Sequence, residues 1–367
     1  MSLLYQVTLR VAVALLALSS LVAASACSPD GRNGGPAANN AGGAVRLQGA
    51  GASFPNPLYQ KWLSEYKKTN TGASIDYQST GSGAGIKQFT ERTIDFGATD
   101  KPMNEEELKK ATGEVFHIPT VLGAVVLTYN LTGVNQSLRF SPDVIADIFL
   151  GKIKKWDDAR IKADNPGVAL PAADIAVVHR SDSSGTSAVF TDYLSKISPE
   201  WKEKVGTGGS PAWPVGQGGK GNEGVSGMIK QQPNTLGYVE LAYAKQINLP
   251  VALIKNSSGN FAEPTLDNVT AAAADALAAT PEDLRVSITN APGANAYPIA
   301  SYTYVLVYKD QSDAAKGKAL VDFLWWGIHD GTQFAKDMQY APLPADMIKR
   351  VEAKLNAVIS GGKTLRS

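Results

Sequence analysis

The sequence is poor in the two residues that most often build disulfides and metal sites. Its 367 residues include one cysteine, Cys27, and three histidines, His117, His179 and His329. A single cysteine excludes a disulfide framework within the chain and any cysteine-based zinc site. The three histidines are scattered along the sequence, which argues against a histidine-ligated metal centre. We therefore expect neither a metal nor a cofactor.

The sequence also lacks a surplus of charge of either sign. Lysine and arginine number 35, aspartate and glutamate number 34, and the formal net charge is +1. A general nucleic-acid binder would normally carry a basic surplus, so we expect no nucleic-acid partner. Apolar residues make up 44% of the chain, which excludes a disordered or fibrous protein. The length predicts about two or three domains.

The first 26 residues have the build of a secretory signal peptide. One charge, Arg10, is followed by an apolar run too short to span a membrane, and small residues lead up to Ala26. Cys27 comes next, in the stretch VAASAC, which resembles a bacterial lipobox. We expect a lipid on Cys27, the alternative being a chance cysteine at the cleavage site. Residues 27–44, rich in Gly, Asn, Ala and Pro, then form a lipid-anchored flexible linker.

Short β-branched runs alternate with helical patterns from Val45 onward. This alternation predicts an α/β fold with largely parallel strand pairing. The predicted strands cover residues 73–78, 93–97, 124–130, 176–179, 236–239 and 302–308. The predicted helices cover residues 57–68, 85–91, 104–111, 141–150, 186–197, 224–231, 315–330 and 344–359.

Three segments rich in glycine and hydroxyl groups lie where a strand turns into a helix. They are GAGASFP (residues 49–55), TGSGAG (residues 80–85) and RSDSSGT (residues 180–186). Helix N-termini present unsatisfied N–H groups that favour an anion, and glycine lets the backbone approach a ligand closely. Helix capping by Ser or Thr explains any one of the three loops. Three together, one carrying Arg180 and Asp182, favour an anion site at the carboxyl ends of the strands.

Seven longer motifs, taken in order, resemble those of the phosphate-binding lipoproteins of bacterial phosphate ABC importers. They are GAGASFPNPLYQKW, YQSTGSGAGIKQ, TIDFGATDKP, LGKIKKWDD, HRSDSSGTSAVFTDYL, GTGGSPAWPVGQGGKGNEGV and GYVELAYAKQ. The resemblance covers nearly the whole chain after the signal peptide. It implies a two-lobed, type II-like periplasmic-binding-protein fold with the ligand in the cleft. It also implies lobe one at residues 45–121 plus 302–367 and lobe two at residues 122–301, with the chain crossing near residues 117–125 and 295–304.

The same resemblance implies which residues contact the ligand. The positions that match phosphate-binding positions of the family are Ser53, Phe54, Ser82, Asp100, Arg180, Ser184, Gly185 and Thr186. Asp182 matches an acidic residue expected to orient the Arg180 guanidinium. Gly83 stands where many relatives have a serine, so we expect one outer hydrogen bond to be missing. The family implies no catalytic residue and no metal ligand.

Asp100 is the residue expected to discriminate between anions. Arg180 can form a bidentate, charge-assisted pair with phosphate, while hydroxyl and N–H groups cover the remaining oxygens. A carboxylate beside an anion makes sense if it accepts a hydrogen bond from the proton of the phosphate. Sulfate has no such proton near neutral pH and would be repelled. The alternative is that Asp100 serves only as a helix N-cap before residues 102–104.

We therefore expect a protein that binds inorganic phosphate outside the membrane and delivers it to an ABC permease powered by separate ATPase subunits. Its partners would be phosphate, the permease, and the outer face of the membrane through Cys27. We expect a monomer without covalent chemistry. Two alternatives stay open: a secreted phosphatase with Ser53 or Ser82 as nucleophile, and a binding protein for another oxyanion such as sulfate or molybdate.

Residues 219–224, GKGNEG, fit the dinucleotide-binding pattern G-x-G-x-x-G. The sequence shows no preceding strand and no acidic residue at the required later spacing, so we expect no dinucleotide site there. The resemblance makes this segment a loop at the edge of the cleft.

Overall fold

The computed structural model describes residues 44–134 and 136–366. The predicted signal peptide and Cys27, with all of the predicted linker except its last residue, lie outside the described residues. Within the described ranges, no helix combines the length and the apolar character that a membrane span requires.

Thirteen strands and thirteen helices make up the described part of the chain. The strands are β1 (Val45–Gly51), β2 (Ala73–Ser79), β3 (Phe96–Thr99), β4 (Val115–Asn130), β5 (Arg139–Phe140), β6 (Ala176–Arg180), β7 (Gln217–Gly219), β8 (Thr235–Glu240), β9 (Leu253–Lys255), β10 (Phe261–Ala262), β11 (Ala300–Tyr308), β12 (Ile359–Ser360) and β13 (Lys363–Thr364). The helices are α1 (Asn56–Thr69), α2 (Ser82–Thr90), α3 (Glu105–Lys110), α4 (Pro142–Phe149), α5 (Ala159–Asp164), α6 (Gly185–Ile197), α7 (Pro199–Lys204), α8 (Gly221–Gln231), α9 (Leu241–Gln246), α10 (Leu266–Leu277), α11 (Ala314–Ile328), α12 (Thr332–Ala335) and α13 (Ala345–Asn356).

Every strand and helix predicted from the sequence overlaps an element of the structure. The prediction for residues 93–97 is displaced, because β3 begins only at Phe96. Helices α2 and α8 each begin three residues earlier than predicted, at Ser82 and Gly221. Both early starts matter, because they put residues of the glycine-rich turns into the first turn of a helix.

Eight of the strands form one mixed sheet in the order β2-β1-β3-β11-β4-β8-β6-β7, and the others form two small sheets, β10-β9-β5 and β12-β13. On one flank β1 pairs in parallel with β2 and β3, and on the other β6 pairs in parallel with β7 and β8. The three central pairs, β3 with β11, β11 with β4, and β4 with β8, are antiparallel. The expectation of largely parallel pairing is therefore wrong for the centre, where β4 and β11 carry the chain in opposite directions.

Strand β4 joins the two halves of the sheet. Its residues 115–124 pair with β11, and its residues 125–130 pair with β8. All of its residues except the first and last are buried, in keeping with a nearly continuous apolar run covered on both faces. We call β2, β1, β3 and β11 the first half-sheet, and β8, β6 and β7 the second half-sheet.

A proline interrupts the pairing of β4 with β11. Pro119 has no N–H to donate to the ladder. The register shifts at this point, between Thr303 and Tyr304, so that Tyr304 pairs with Pro119 and Thr120 has no partner in the ladder. Such a bulge re-aims side chains locally. Here the Thr303 hydroxyl donates to the carboxylate of Asp100 at 2.9 Å.

Helix α2 packs against the first half-sheet at a distance that only glycine permits. A Cβ on Gly85 would lie 2.5 Å from the Cα of Gly51 and 2.7 Å from the carbonyl oxygen of Ala50. Because both neighbours are backbone atoms, neither can move without displacing strand β1. Gly85 therefore sets how closely the start of α2 approaches the end of β1.

We expect Gly85→Ala to lower the free energy of unfolding by about 1–3 kcal/mol, because the added methyl overpacks this contact. Gly227→Ala is the matched control, since Gly227 lies in helix α8 and a Cβ there meets no atom within 4 Å. The control should be neutral or more stable by up to about 1 kcal/mol. Urea unfolding measures both variants, and equal effects would show that the close contact of Gly85 is unimportant.

Candidate functional site

Four strand-to-helix turns meet where the two half-sheets face each other. They join β1 to α1, β2 to α2, β6 to α6 and β7 to α8. Seven polar residues, in these turns and next to the end of β3, are at most 3% exposed. They are Ser53, Ser82, Asp100, Arg180, Ser184, Thr186 and Asn222. Buried polar groups need hydrogen-bond partners, so the unpaired donors among them mark where a polar ligand fits.

Arg180, at the end of β6, is the only cation among these buried residues. Its Nε and Nη2 donate to the two carboxylate oxygens of Asp182 at 2.8 and 2.6 Å, and its Nη1 donates to the Thr186 hydroxyl at 3.3 Å. A guanidinium has five N–H donors in a fixed plane. Within the described residues three are used, which leaves one N–H on each of Nη1 and Nη2 for a ligand.

Asp182 fixes the plane of that guanidinium. It also accepts a hydrogen bond from the Gly221 N–H at 3.0 Å. Burial alone would raise the pKa of Asp182, but the hydrogen bonds and charge of Arg180, together with the Gly221 N–H, hold it below its usual value. The carboxylate therefore stays ionised, and the Arg180–Asp182 pair carries no net charge.

Asp100 directly follows β3, at the edge of the first half-sheet. One carboxylate oxygen accepts from Thr303 at 2.9 Å, and the other lies 3.5 Å from the Ser82 hydroxyl. Burial raises the pKa of Asp100 to about 7, against the lowering effects of the Thr303 hydroxyl, the Arg180 charge and the Ser82 hydroxyl. Asp100 is therefore a carboxyl that changes charge near neutral pH, at the edge of a group of hydrogen-bond donors.

The start of α6 reaches across to this carboxyl. A Cβ on Gly185 would lie 2.3 Å from the Ser82 hydroxyl and 2.5 Å from an Asp100 carboxylate oxygen. Only glycine fits there. The Ser184 hydroxyl caps α6 by accepting from the Ser187 N–H at 3.0 Å, and the Ser184 N–H donates to the Gly209 carbonyl at 2.9 Å. The Ser184 N–H is therefore engaged away from the site.

The turn between β1 and α1 directs backbone donors into the same space. The Ser53 carbonyl accepts from the Tyr243 hydroxyl at 2.6 Å, and the Phe54 carbonyl accepts from the Tyr340 hydroxyl at 2.6 Å. Within the residues that the structure describes, the N–H groups of Ser53 and Phe54 have no hydrogen-bond partner. The two tyrosines thus hold the peptide planes, and the opposite N–H groups stay available.

Gly83, the departure from the family pattern, lies against the opposite half of the molecule. Its N–H donates to the Ser183 carbonyl at 3.0 Å. The Ser183 side chain fills the space that a Cβ on Gly83 would need. Ser183, which follows strand β6 of the second half-sheet, therefore occupies the space of the side chain that Gly83 lacks.

The structure brings six of the residues predicted from the sequence into two groups. Ser53, Arg180 and Thr186 join through hydrogen bonds to Asn222 and to each other, while Ser82, Asp100 and Gly185 lie in mutual contact.

The sequence did not predict Asn222 or Thr303 as site residues. Asn222 lies in GKGNEG, which does follow a strand, the three-residue β7, and opens helix α8. The expectation of no preceding strand is wrong, and the sequence did not reveal β7 because this strand is short and lacks β-branched residues. The expected loop at the edge of the cleft is also wrong, because residues 221–224 begin helix α8 and Asn222 is fully buried. A glycine-rich turn between a strand and the start of a helix, as in the other three loops, was the signal that could have indicated Asn222 as a site residue.

Comparisons with known proteins identify the family. Residues 37–325 match the PBP superfamily domain. The chain is 42% identical to a phosphate-binding protein PstS of Xylella fastidiosa over 92% of this chain and 96% of that protein. It is 44% identical to a phosphate-binding protein PstS of Pasteurella multocida over 88% of this chain and 94% of that protein.

A solved structure supports the same assignment at the level of the fold. The phosphate-binding protein from Stenotrophomonas maltophilia is 23% identical, superimposes with a TM-score of 0.65, and is matched over 84% of this chain and 93% of that chain. The chain belongs to the PBP superfamily and, within it, to the family of PstS phosphate-binding proteins. The predicted family and the two-lobed α/β fold are thereby confirmed.

We expect Asp100 to make the unliganded protein less stable as the pH rises. Its pKa of about 7 in the folded state exceeds that of an unfolded aspartate, so the folded state holds the proton more tightly. The resulting stability is complete below about pH 4 and is lost as the pH rises through about 7, a change of about 4 kcal/mol. Asp100→Asn cannot titrate and should lack this loss.

Denaturant unfolding in phosphate-free buffer at several pH values measures the difference between wild type and Asp100→Asn. Asp76→Asn, which neutralises an exposed carboxyl on β2, is the control and should follow the wild type. If the Asp100→Asn curve ran parallel to that of the wild type across this pH range, the raised pKa of Asp100 would be refuted.

Proposed function

We propose that this chain captures inorganic phosphate outside the cell membrane and delivers it to an ABC permease powered by separate ATPase subunits. The observation that carries the proposal is the buried Arg180 guanidinium, two of whose N–H donors have no partner among the described residues. It donates to the Thr186 hydroxyl, which Asn222 links to the Ser53 hydroxyl. Burying an oxyanion is costly unless its oxygens find donors. This site offers donors from a guanidinium, hydroxyls and helix N-termini.

Asp100 supports phosphate over sulfate as the ligand. Its carboxylate lies at the edge of the donor group and can accept a hydrogen bond from a protonated oxygen of the ligand. Phosphate carries such a proton near neutral pH and sulfate does not. Above about pH 7, where Asp100 is ionised, an unprotonated oxygen facing its carboxylate would be left in unrelieved repulsion. This geometry disfavours the alternative of a sulfate- or molybdate-binding protein.

We propose that phosphate stabilises closure of the two lobes, because its contacts come from both. On this assignment lobe one comprises residues 45–121 and 302–367, and lobe two comprises residues 122–301. The change of pairing partner along β4, between residues 124 and 125, supports a boundary near there. Ser53, Ser82 and Asp100 then belong to lobe one, and Arg180 with Ser184, Gly185 and Thr186 belongs to lobe two.

We further propose that a lipid on Cys27 holds the protein at the outer face of the membrane and that it acts as a monomer. The stretch VAASAC and the flexible composition after it support the anchor. A short tether keeps the effective concentration near a membrane permease high.

We propose binding without turnover. The Ser53 hydroxyl oxygen accepts from the side chain and the backbone N–H of Asn222 at 2.9 and 3.3 Å, and both partners found for it in the described residues are donors, not bases. The closest carboxylate to Ser82 is Asp100, at 3.5 Å. The three histidines lie in other contacts, with His117 accepting from the Met103 N–H, and His179 and His329 bonded to backbone carbonyls. A phosphatase would need one of these groups to activate a serine.

Calorimetric titration tests the proposal. We expect phosphate to saturate the wild type in the low micromolar range or tighter, arsenate to compete, and sulfate not to bind measurably. Asp100→Asn removes the repulsion, so the preference for phosphate over sulfate should fall by about tenfold or more. Absence of phosphate saturation would refute the function. Unchanged selectivity in Asp100→Asn would refute the role of Asp100, and sustained phosphomonoester turnover that is lost in Ser53→Ala would favour a phosphatase.

A further inference from the structure

Asn222 is fully buried in the first turn of helix α8 and touches both halves of the site. Its side-chain Nδ2 donates to the Ser53 hydroxyl at 2.9 Å and to the Thr186 hydroxyl at 3.2 Å. Ser53 follows β1 in the first half-sheet, and Thr186 opens α6 next to the second half-sheet. One amide group therefore joins two hydroxyls from the two halves of the site, and one of them, Thr186, also accepts from Arg180.

The orientation of this amide is fixed by a partner that can only donate. The Asn222 Oδ1 accepts from the backbone N–H of Glu240 at 2.9 Å. If the amide were flipped, two N–H groups would face each other at this distance. The Nδ2 group must therefore face Ser53 and Thr186, and its two hydrogens are both used on them.

Each of the two hydroxyl oxygens accepts from two groups that cannot accept in return. Ser53 Oγ receives the Asn222 Nδ2 and, at 3.3 Å, the Asn222 backbone N–H. Thr186 Oγ1 receives the Asn222 Nδ2 and, at 3.3 Å, the Nη1 of Arg180. A hydroxyl oxygen has two lone pairs, so both oxygens have no further capacity to accept. Their own protons must point elsewhere, and within the described residues neither proton has an acceptor.

We propose that Asn222 is a positioning and specificity-determining residue that turns the Ser53 and Thr186 hydroxyls into obligate donors. The inference rests on the proposed function and deepens it. The Ser53 and Thr186 hydroxyls and the Arg180 guanidinium then form a wall that offers the ligand only hydrogen-bond donors. Asp100 offers it an acceptor. Ligand oxygens facing the wall must be unprotonated, while a protonated oxygen fits only at Asp100. The site therefore selects for the dianion of phosphate over the doubly protonated monoanion.

Asn222→Asp tests this polarity with little change in shape. An aspartate carboxylate accepts where the Nδ2 donated, so both hydroxyls must turn their protons toward it and their lone pairs toward the ligand. Unprotonated ligand oxygens then lose two hydrogen bonds and meet lone pairs instead. Each hydrogen bond to a charged group is commonly worth a factor of about 10–100. We expect phosphate affinity to fall by about 100-fold or more at about pH 8.

At about pH 6 the loss should be smaller by about tenfold, because the doubly protonated ligand can donate to the inverted hydroxyls. Calorimetric titration of wild type and variant at both pH values gives the ratio of affinities. The ionisable residues around Asn222 and its hydroxyl partners are Arg180, Asp182, Asp100, Glu223, Glu240 and Tyr243. Glu240 contacts Asn222 through its backbone N–H, and Tyr243 contacts Ser53 through the Ser53 carbonyl. These groups are present in both proteins, so their titration enters both affinities. The carboxyl that Asn222→Asp introduces titrates only in the variant, so the comparison between the two pH values also requires Asn222→Ala.

Asn222→Ala gives a second test that adds no charge. It frees both hydroxyls to rotate, so the affinity should fall by about tenfold at pH 8 and by less at pH 6. Thermal unfolding verifies that each variant is folded, and Asn222→Ala alone carries the test if Asn222→Asp does not fold.

Asn165→Asp is the matched control, because Asn165 is also buried and its amide also donates twice and accepts once. Its partners are the carbonyls of Arg139 and Ile161 and the Arg139 N–H. This control should change stability without changing how affinity depends on pH.

Losses of equal size at both pH values in the Asn222 variants, or unchanged affinity, would overturn the inference. A wild type that binds no phosphate at either pH would instead refute the proposed function. The two failures are therefore distinguishable in one set of titrations.

Discussion

The constraint on which the site depends is the cost of removing a doubly charged anion from water. That cost amounts to several kcal/mol for each ion, and it is met only when every oxygen of the anion finds a partner. This protein is close to neutral overall, and its buried Arg180 is already balanced by Asp182. Stabilisation of the ligand must therefore come from the number and direction of hydrogen-bond donors instead of from net charge.

The architecture supplies those donors by placing helix starts at the carboxyl ends of strands. Four turns converge there, and the tyrosine hydroxyls of Tyr243 and Tyr340 hold two of the carbonyls away from the ligand space. The bulge opposite Pro119 brings Thr303 to Asp100, so the acceptor is held as firmly as the donors. The donors come from both half-sheets, and the acceptor Asp100 comes from the first. An anion that contacts all of them therefore joins the two half-sheets.

Much of this arrangement could be predicted from the sequence, because glycine and hydroxyl residues between strand and helix are a local signal. Arg180, Asp182 and the loops around Ser53 and Ser82 belong to this part, and the family resemblance added Asp100. Thr303 could not be predicted, because its position depends on a register shift between strands that are far apart in the chain. Asn222 was missed because β7 has only three residues, two of them glycine. The antiparallel centre of the sheet was missed because alternation of strands and helices does not reveal strand direction.

The most direct test of the account is a crystal structure of the protein with phosphate at a resolution that places the anion oxygens. We predict one anion between the two half-sheets, with oxygens at about 2.7–3.1 Å from Arg180 Nη1 and Nη2 and from the Ser53 and Thr186 hydroxyls, and one oxygen within hydrogen-bond distance of the Asp100 carboxylate. An anion bound elsewhere, or bound here with no oxygen near Asp100, would contradict the account.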